Sequence, residues 1–309
     1  MTDTFMPTLA PAPAPVHECE LRLHGQRVPY LEAGADSGGP VVVLVHGLAS
    51  NGGTWAGVLP TLGAHVHAIA PDLLGSGDAD KPRSADYSVG AHAARLRDLM
   101  RELGVDRAGL VGHSYGGGVA MTFAYQFPER TERLALIASG GLGPDLTIAL
   151  RLASLPGATL TAHALATVLP RWLTSAGRRT LAGLGLVPEP DLDALARAVG
   201  SLSDRESRQA FTHTVRSTVC WSGQRLAAAD RLYLLAGLPT LLVAGRRDSC
   251  IPHQHSLAAH EVLPNSRLEV LDAGHFPHQE HPAVVGGLLA EFLAARAVTQ
   301  LPTPRAAAC

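Results

Sequence analysis

Lysine is almost missing from this chain: of 25 Lys and Arg residues only Lys81 is a lysine. That skew is read as a compositional bias of the coding sequence and carries no functional weight. Charge of one sign is also missing as a run. Formal net charge is −2 over 309 residues, which argues against a nucleic-acid groove or a polybasic membrane patch. Cysteine is scarce and scattered, at Cys19, Cys220, Cys250 and Cys309 with no C-x-x-C pair, so neither a zinc-finger-type site nor a disulfide framework is expected. Apolar runs never reach the about 18 residues a spanning helix requires. The opening "MTDTFMPTLAPAPAPV" lacks a basic segment followed by an apolar one, so no secretory leader is expected and a reducing cytoplasmic setting is the default.

Hydrophobic residues are abundant, at 46% against 17% charged, enough to bury a sizeable core. Residues 1–16 and 298–309 are rich in Ala and Pro and read as tails. Between them, "LRLHGQ" and "VPYLEAG" read as paired opening strands. "VVVLVHG" (41–47) and "VHAIAPD" (66–72) are β-branched or apolar runs suited to strands buried on both faces. Val89, Ala93, Leu96, Met100 and Leu103 fall on one face of a helix over 88–103. A strand at 108–113, a helix at 115–127 ended by Pro128 and a strand at 133–139 follow. This alternation predicts a mostly parallel sheet with right-handed crossovers.

The rhythm stops at 142–235, where helical segments (145–155, 159–175, 191–202, 205–221) are punctuated by Pro156, Pro170, Pro188 and Pro190. It resumes with a strand at 238–245, a helix near 253–263, a strand at 267–274 and a last helix near 282–296. The expected organisation is therefore a core of 17–141 and 236–297 interrupted by a helical cap of 142–235.

Within "VGHSYGGG", residues 112–116 fit G-x-S-x-G. At a strand-to-helix junction this pattern holds Ser114 at the apex of a strained turn. Gly112 and Gly116 are small because larger side chains would collide across it. A serine hydroxyl needs a base, and the base needs an orienting acid. Both should follow later strands, at the same sheet edge. Asp248 follows the strand 238–245 and His275 follows the strand 267–271, in the order Ser, Asp, His.

His46-Gly47, the Ser114 elbow, Asp248 and His275 taken together resemble the α/β-hydrolase superfamily, in the branch with a helical cap between sheet strands six and seven. The resemblance spans about residues 20–297. It implies an eight-stranded, mostly parallel sheet, a Ser114–His275–Asp248 triad, and an oxyanion hole from the backbone N–H of Tyr115 and of Leu48, with Ala49 the less favoured choice at the second position. It implies no metal and no organic cofactor. His46 is expected to brace its loop.

Competing residues have plainer readings. Asp72 in "PDLLGSGDAD" is expected to be structural, Gly75 and Gly77 do not complete a dinucleotide fingerprint, and Asp272 lies on or beside its strand. His275, His278 and His281 are spaced H-x-x-H-x-x-H, but a metal is not expected there; His281-Pro282 opens the last helix. His253, His255 and His260 are expected on a partly exposed helix face, and His113 is expected to shape the elbow rather than serve as base.

The cap residues Leu146, Leu150, Leu152, Leu155, Leu160, Leu165, Val168, Leu169, Trp172 and Leu173 should mostly pack the cap, with some facing an apolar cleft. Arg151 and Arg171 are expected to be solvated or to hold a carboxylate. The expected reaction is hydrolysis of a carboxylic ester, or related acyl bond, of an apolar small molecule. Carbon–carbon hydrolases of ring-cleavage products are the alternative, although "HGLASNGGTW" and "GHFPH" depart from their glycine-rich loop and from the tryptophan after their histidine. Ser114 argues against haloalkane dehalogenases and epoxide hydrolases, whose nucleophile is an aspartate. A non-catalytic ligand-binding member and acyl transfer to an acceptor other than water are the remaining alternatives.

Overall fold

The structure is a computed structural model that describes residues 12–147, 151, 154–155, 197–198, 200–224 and 229–295. The chain opens with β1 (Val16–Leu23) and β2 (Gln26–Ala33), an antiparallel hairpin. Its two-residue turn, His24-Gly25, has φ of 52° and 78°, the mirrored geometry that matches strand twist. Ala14 already hydrogen-bonds Pro60 through its backbone at 2.8 Å, and Val16 is in β1, so the expected tail 1–16 joins the core before its end. Next come β3 (Val41–Val45), the short α1 (Leu59–Gly63), β4 (His67–Pro71), α2 (Val89–Glu102), β5 (Ala108–His113), α3 (Tyr115–Gln126) and β6 (Thr131–Ile137). After the insertion come β9 (Thr240–Gly245), α5 (Gln254–Val262), β10 (Ser266–Leu271), α6 (Pro277–Glu280) and α7 (Pro282–Ala294). The insertion itself contributes α4 (Arg205–Thr218) and a hairpin of β7 (Val219–Cys220) and β8 (Gly223–Gln224).

The main sheet has eight strands in the order β1-β2-β4-β3-β5-β6-β9-β10, with β2 antiparallel to both its neighbours, β1 and β4, and every other neighbouring pair parallel. This is the eight-stranded, mostly parallel sheet that the resemblance implies. Side chains alternate along each strand, so one run feeds two cores. Val43, Val45, Leu110, Leu134, Leu136 and Leu242 pack with α2 and α3 on one face. Val42, Leu44, Val111, Ala135, Ile137, Leu241 and Val243 pack with α1 and α7 on the other. The chain runs from β3 outward to β4, then returns to place β5 on the other side of β3. That reversal leaves a crevice at the carboxyl ends of β3 and β5, the usual ligand position in open α/β sheets.

Two boundaries near the site differ from the sequence reading. The helix expected over 205–221 stops at Thr218 and turns into the β7–β8 hairpin, held to the loop after β6 by Gln224 N donating to Pro144 O at 3.0 Å. The strand expected over 267–274 ends at Leu271, because Ala273 and Gly274 turn away: Arg247 N donates to Ala273 O at 2.9 Å and Gly274 N to Glu280 Oε1 at 2.8 Å. The short α1 and α6 have too few residues to show a helical period. Of the cap helices, 159–175 and 191–196 lie outside the described residues, as do Leu150, Leu152, Leu160, Leu165, Val168, Leu169, Arg171, Trp172 and Leu173. Among the described residues no helix is long and apolar enough to cross a membrane.

Candidate active site

β5 delivers Ser114 to the crevice. The chain leaves the strand at His113, passes through Ser114 at φ 52°, ψ −119°, and enters α3 at Tyr115. A non-glycine residue in this region costs of order 1–3 kcal/mol and persists only where its surroundings fix it. Here Ser114 N donates to Ile137 O at 3.0 Å, and Ser114 O accepts from Gly117 N at 3.0 Å and Gly140 N at 2.9 Å. The flanking glycines are obligatory: a Cβ on Gly112 would stand 2.4 Å from Gly116 O, and one on Gly116 would stand 2.2 Å from Val45 O. The turn presents the side chain of Ser114 at the N-terminus of a 12-residue helix, where developing negative charge is favoured.

The loops after β9 and β10 bring the other two residues to it. His275 Nε2 lies 3.0 Å from Ser114 Oγ, and His275 Nδ1 lies 2.8 Å from Asp248 Oδ2. The Asp248 side chain is only 1% exposed and that of His275 only 7%. The other Asp248 oxygen, Oδ1, accepts from Cys250 N at 2.7 Å and Ile251 N at 2.9 Å. Asp248 is thus aimed by two amides while its second oxygen takes the Nδ1–H of His275. That fixes the tautomer with the Nε2 lone pair toward the serine hydroxyl. The three residues singled out in the sequence converge.

Four buried histidines surround this line. His113 Nε2 donates to the His275 carbonyl at 2.8 Å, so it positions the backbone of His275 and takes no part as base. Burial, then His278 and His275, hold its protonation well below the ordinary range. His278 Nε2 accepts from the Thr54 hydroxyl at 2.8 Å, since Gln279 Nε2 already donates to Thr54 Oγ1; burial first, and then His275, push its pKa down to about 3. His46 donates through Nδ1 to Gly47 O at 2.8 Å and accepts from Leu73 N at 3.0 Å through Nε2, tying the loop after β3 to the loop after β4. It is the brace expected of it, and burial depresses its pKa. His92 is likewise pushed down to about 3 by burial. The imidazoles packed around His275 therefore stay neutral near pH 7.

A pocket that borders the elbow through Gly47 and Tyr115 is lined by Leu48, Ala49, Leu73 and His92 from the core and by Phe211 and Thr214 from α4. Leu48 also packs with Leu146, Phe211, Val215 and Val219 of the insertion. Among the described residues, no protein acceptor takes the backbone N–H of Leu48 or of Tyr115. Ala49 lies at φ 50°, and its carbonyl accepts from Ser201 Oγ at 3.2 Å.

The competing residues are placed elsewhere. Asp72 accepts from Gly52 N at 2.7 Å and Asp78 N at 2.8 Å and is structural. Asp272 is exposed and pairs with Arg247 at 2.9 Å. The H-x-x-H-x-x-H residues diverge, with His281 Nε2 donating to Asp272 O at 3.2 Å. His255 corrects the expectation of a partly exposed face: it is buried, 8% exposed, and its Nε2 lies 3.2 Å from Asp145 Oδ2 at the root of the insertion. Arg151 faces the same Asp145 at 3.9 Å. The network of Thr54, His278 and Gln279 was invisible in the sequence, because its members lie more than 220 positions apart. Gln224 was missed too: its Oε1 accepts from Gly141 N at 2.7 Å, beside the Gly140 amide that holds Ser114 O.

Similarity to known proteins agrees with this geometry. Residues 40–282 match the alpha/beta hydrolase fold family. An uncharacterized protein of Mycobacterium tuberculosis is 40% identical over 275 residues, covering 88% of this chain and 79% of its own length. A 2-hydroxy-6-oxo-2,4-heptadienoate hydrolase of Pseudomonas putida is 31% identical over 262 residues, covering 83% of this chain and 90% of its own. In fold, a 2-hydroxy-6-oxo-6-phenylhexa-2,4-dienoate hydrolase of a Rhodococcus species superposes with TM-score 0.69 at 24% identity, over 91% of this chain and all of that one. The chain belongs to the alpha/beta hydrolase fold family, and it is a hydrolase.

Proposed function

We propose that this hydrolase works through a Ser114 nucleophile and cleaves a carboxylic ester, or a related acyl bond, of an apolar small molecule. The observation that carries the reading is the single imidazole bridging Ser114 Oγ at 3.0 Å and Asp248 Oδ2 at 2.8 Å. His275 takes the Ser114 proton as Oγ attacks the carbonyl carbon. Asp248 holds the imidazolium that forms. The Leu48 and Tyr115 N–H groups receive the oxyanion, each such donor being worth about 3 kcal/mol. His275 then hands its proton to the departing alkoxide, leaving an acyl group on Ser114. Water, deprotonated by the same imidazole, attacks the acyl carbon, and Ser114 recovers its proton as the acid leaves. None of these steps calls for a metal or organic cofactor.

The ester reading is favoured by the cleft itself: its described lining from Gly47 to Thr214 carries no arginine, lysine or carboxylate, which suits an uncharged substrate. The insertion 142–235 serves in this reading as the cap, with Phe211 of α4 as part of its apolar roof.

Carbon–carbon bond hydrolysis is the second reading, favoured by the 31% identity to the heptadienoate hydrolase. Phe276 follows His275 here, whereas tryptophan is the usual residue in such enzymes. A panel of p-nitrophenyl esters of graded acyl length, run beside a vinylogous diketone acid, separates the two. Turnover of short and medium esters, lost in Ser114→Ala, is the expected result. Turnover of the diketone acid alone would replace the ester reading with the second one.

A further inference from the structure

The proposed reaction leaves one nucleophilic side chain at the triad unused. Asp248, Cys250 and His275 each offer one ligand atom, a carboxylate oxygen, a thiol sulfur and an imidazole nitrogen, and all three atoms lie within 4.8 Å of one another. Cys250 is partly exposed while His275 is buried. Oxygen-only ligand sets suit Mg2+ and Ca2+, whereas a mixed sulfur, nitrogen and oxygen set suits Zn2+ and its neighbours. Zinc holds sulfur at about 2.3 Å and nitrogen or oxygen at about 2.0–2.2 Å.

We propose that Asp248, Cys250 and His275 form an inhibitory site for a borderline-soft divalent cation, Zn2+ above all. The inference rests on the reading of Ser114, His275 and Asp248 as the machinery. The cation replaces the proton shared between His275 Nδ1 and Asp248 Oδ2. Cys250 binds as the thiolate and releases its proton to solvent. The proton displaced from Nδ1 moves to Nε2, so the imidazole stays neutral. An Nε2–H facing Ser114 donates and cannot accept, and the hydroxyl loses its base. Dissociation of the cation reverses the change, so the same residues that run the reaction also form its off switch.

The test uses the full chain and two readouts. Co2+ titrated into the wild-type protein should give a thiolate-to-cobalt charge-transfer band in the near ultraviolet, absent in Cys250→Ala and in Cys250→Ser alike, both of which keep the amide that Asp248 accepts. Micromolar Zn2+ should slow fluorophosphonate labelling of Ser114 by roughly tenfold or more, Mg2+ should not, and a chelator should restore it. Each variant is compared with its own metal-free rate, and removing the sulfur should weaken the Zn2+ effect by roughly tenfold or more, in line with the cost of disturbing a metal site. A wild-type protein with no thiolate band, or Zn2+ inhibition of equal strength in Cys250→Ala and Cys250→Ser, overturns the proposal. Failure of Ser114 to label without metal would instead sink the triad, and the cobalt spectrum would still decide the cation site.

Discussion

At the scale of single residues, the site is a set of atoms whose positions are each over-determined. Ser114 is held at a left-handed φ by three backbone hydrogen bonds, and no carbon fits on either flanking glycine. Gly116→Ala should cost about 3 kcal/mol or more, since its Cβ would meet backbone oxygen and not a side chain that can turn away. A thermal melt checks this, and an unchanged midpoint would contradict it. Asp248→Asn should leave the fold intact and lower kcat by about 10⁴-fold, because the amide disfavours the tautomer that frees Nε2. Steady-state kinetics on the best ester, beside a circular dichroism spectrum, reads both halves of that statement. The residues of this line were legible in the sequence because each stands at the end of a recognisable strand. His113, His278 and Thr54 were not, because what they do depends on contacts across the sheet that no local pattern encodes. His255 was misplaced for the same reason, since Asp145, its partner, belongs to the insertion.

At the scale of elements, the sheet was readable because its central strands are apolar on both faces, and the large helices because their period is regular. Short elements escaped: α6 has four residues and the β7–β8 hairpin two per strand, too few for any period to show. Yet these pieces steady the site. Gln224 in β8 accepts from Gly141 N and donates to Asp145 O at 3.1 Å, fixing the loop whose Gly140 amide holds the Ser114 carbonyl. Gln224→Ala should therefore lower kcat several-fold while KM changes little, a split that a purely structural role in the insertion would not produce. In the proposed reading, α4 lines the substrate side through Phe211 and Thr214. Truncating Phe211 to Ala should raise KM for medium-length esters, by the roughly 10- to 200-fold that 1–3 kcal/mol of lost apolar contact allows, with kcat nearly unchanged. A chain-length series in both proteins would reveal it, and equal KM values across the series would remove Phe211 from the cleft.

At the scale of the whole molecule, burial of neutral histidines couples folding to pH. His278 and His92 fall to about 3, and His113 and His46 are lowered as well, from an ordinary value of 6.5. The unfolded chain therefore binds more protons than the folded one once the pH drops below about 6.5. The stability these residues contribute is complete above that pH and is lost as the pH falls toward their folded values, at up to about 1.4 kcal/mol per pH unit for each histidine. Urea midpoints between pH 8 and pH 4.5 should be level at the alkaline end and fall steadily below it, and His278→Gln should shallow the fall. Midpoints that rise on acidification would refute the neutral assignment. The alpha/beta hydrolase fold thus places a serine hydroxyl, an imidazole and a carboxylate from three distant loops at one edge of one sheet, within a shell of uncharged imidazoles. The most direct test is to treat the protein with a fluorophosphonate and map the modified residue by peptide mass spectrometry. The expected result is a single adduct on Ser114, lost in His275→Ala as well as in Ser114→Ala. A wild-type protein that takes no label, or takes it at another residue, would contradict the account.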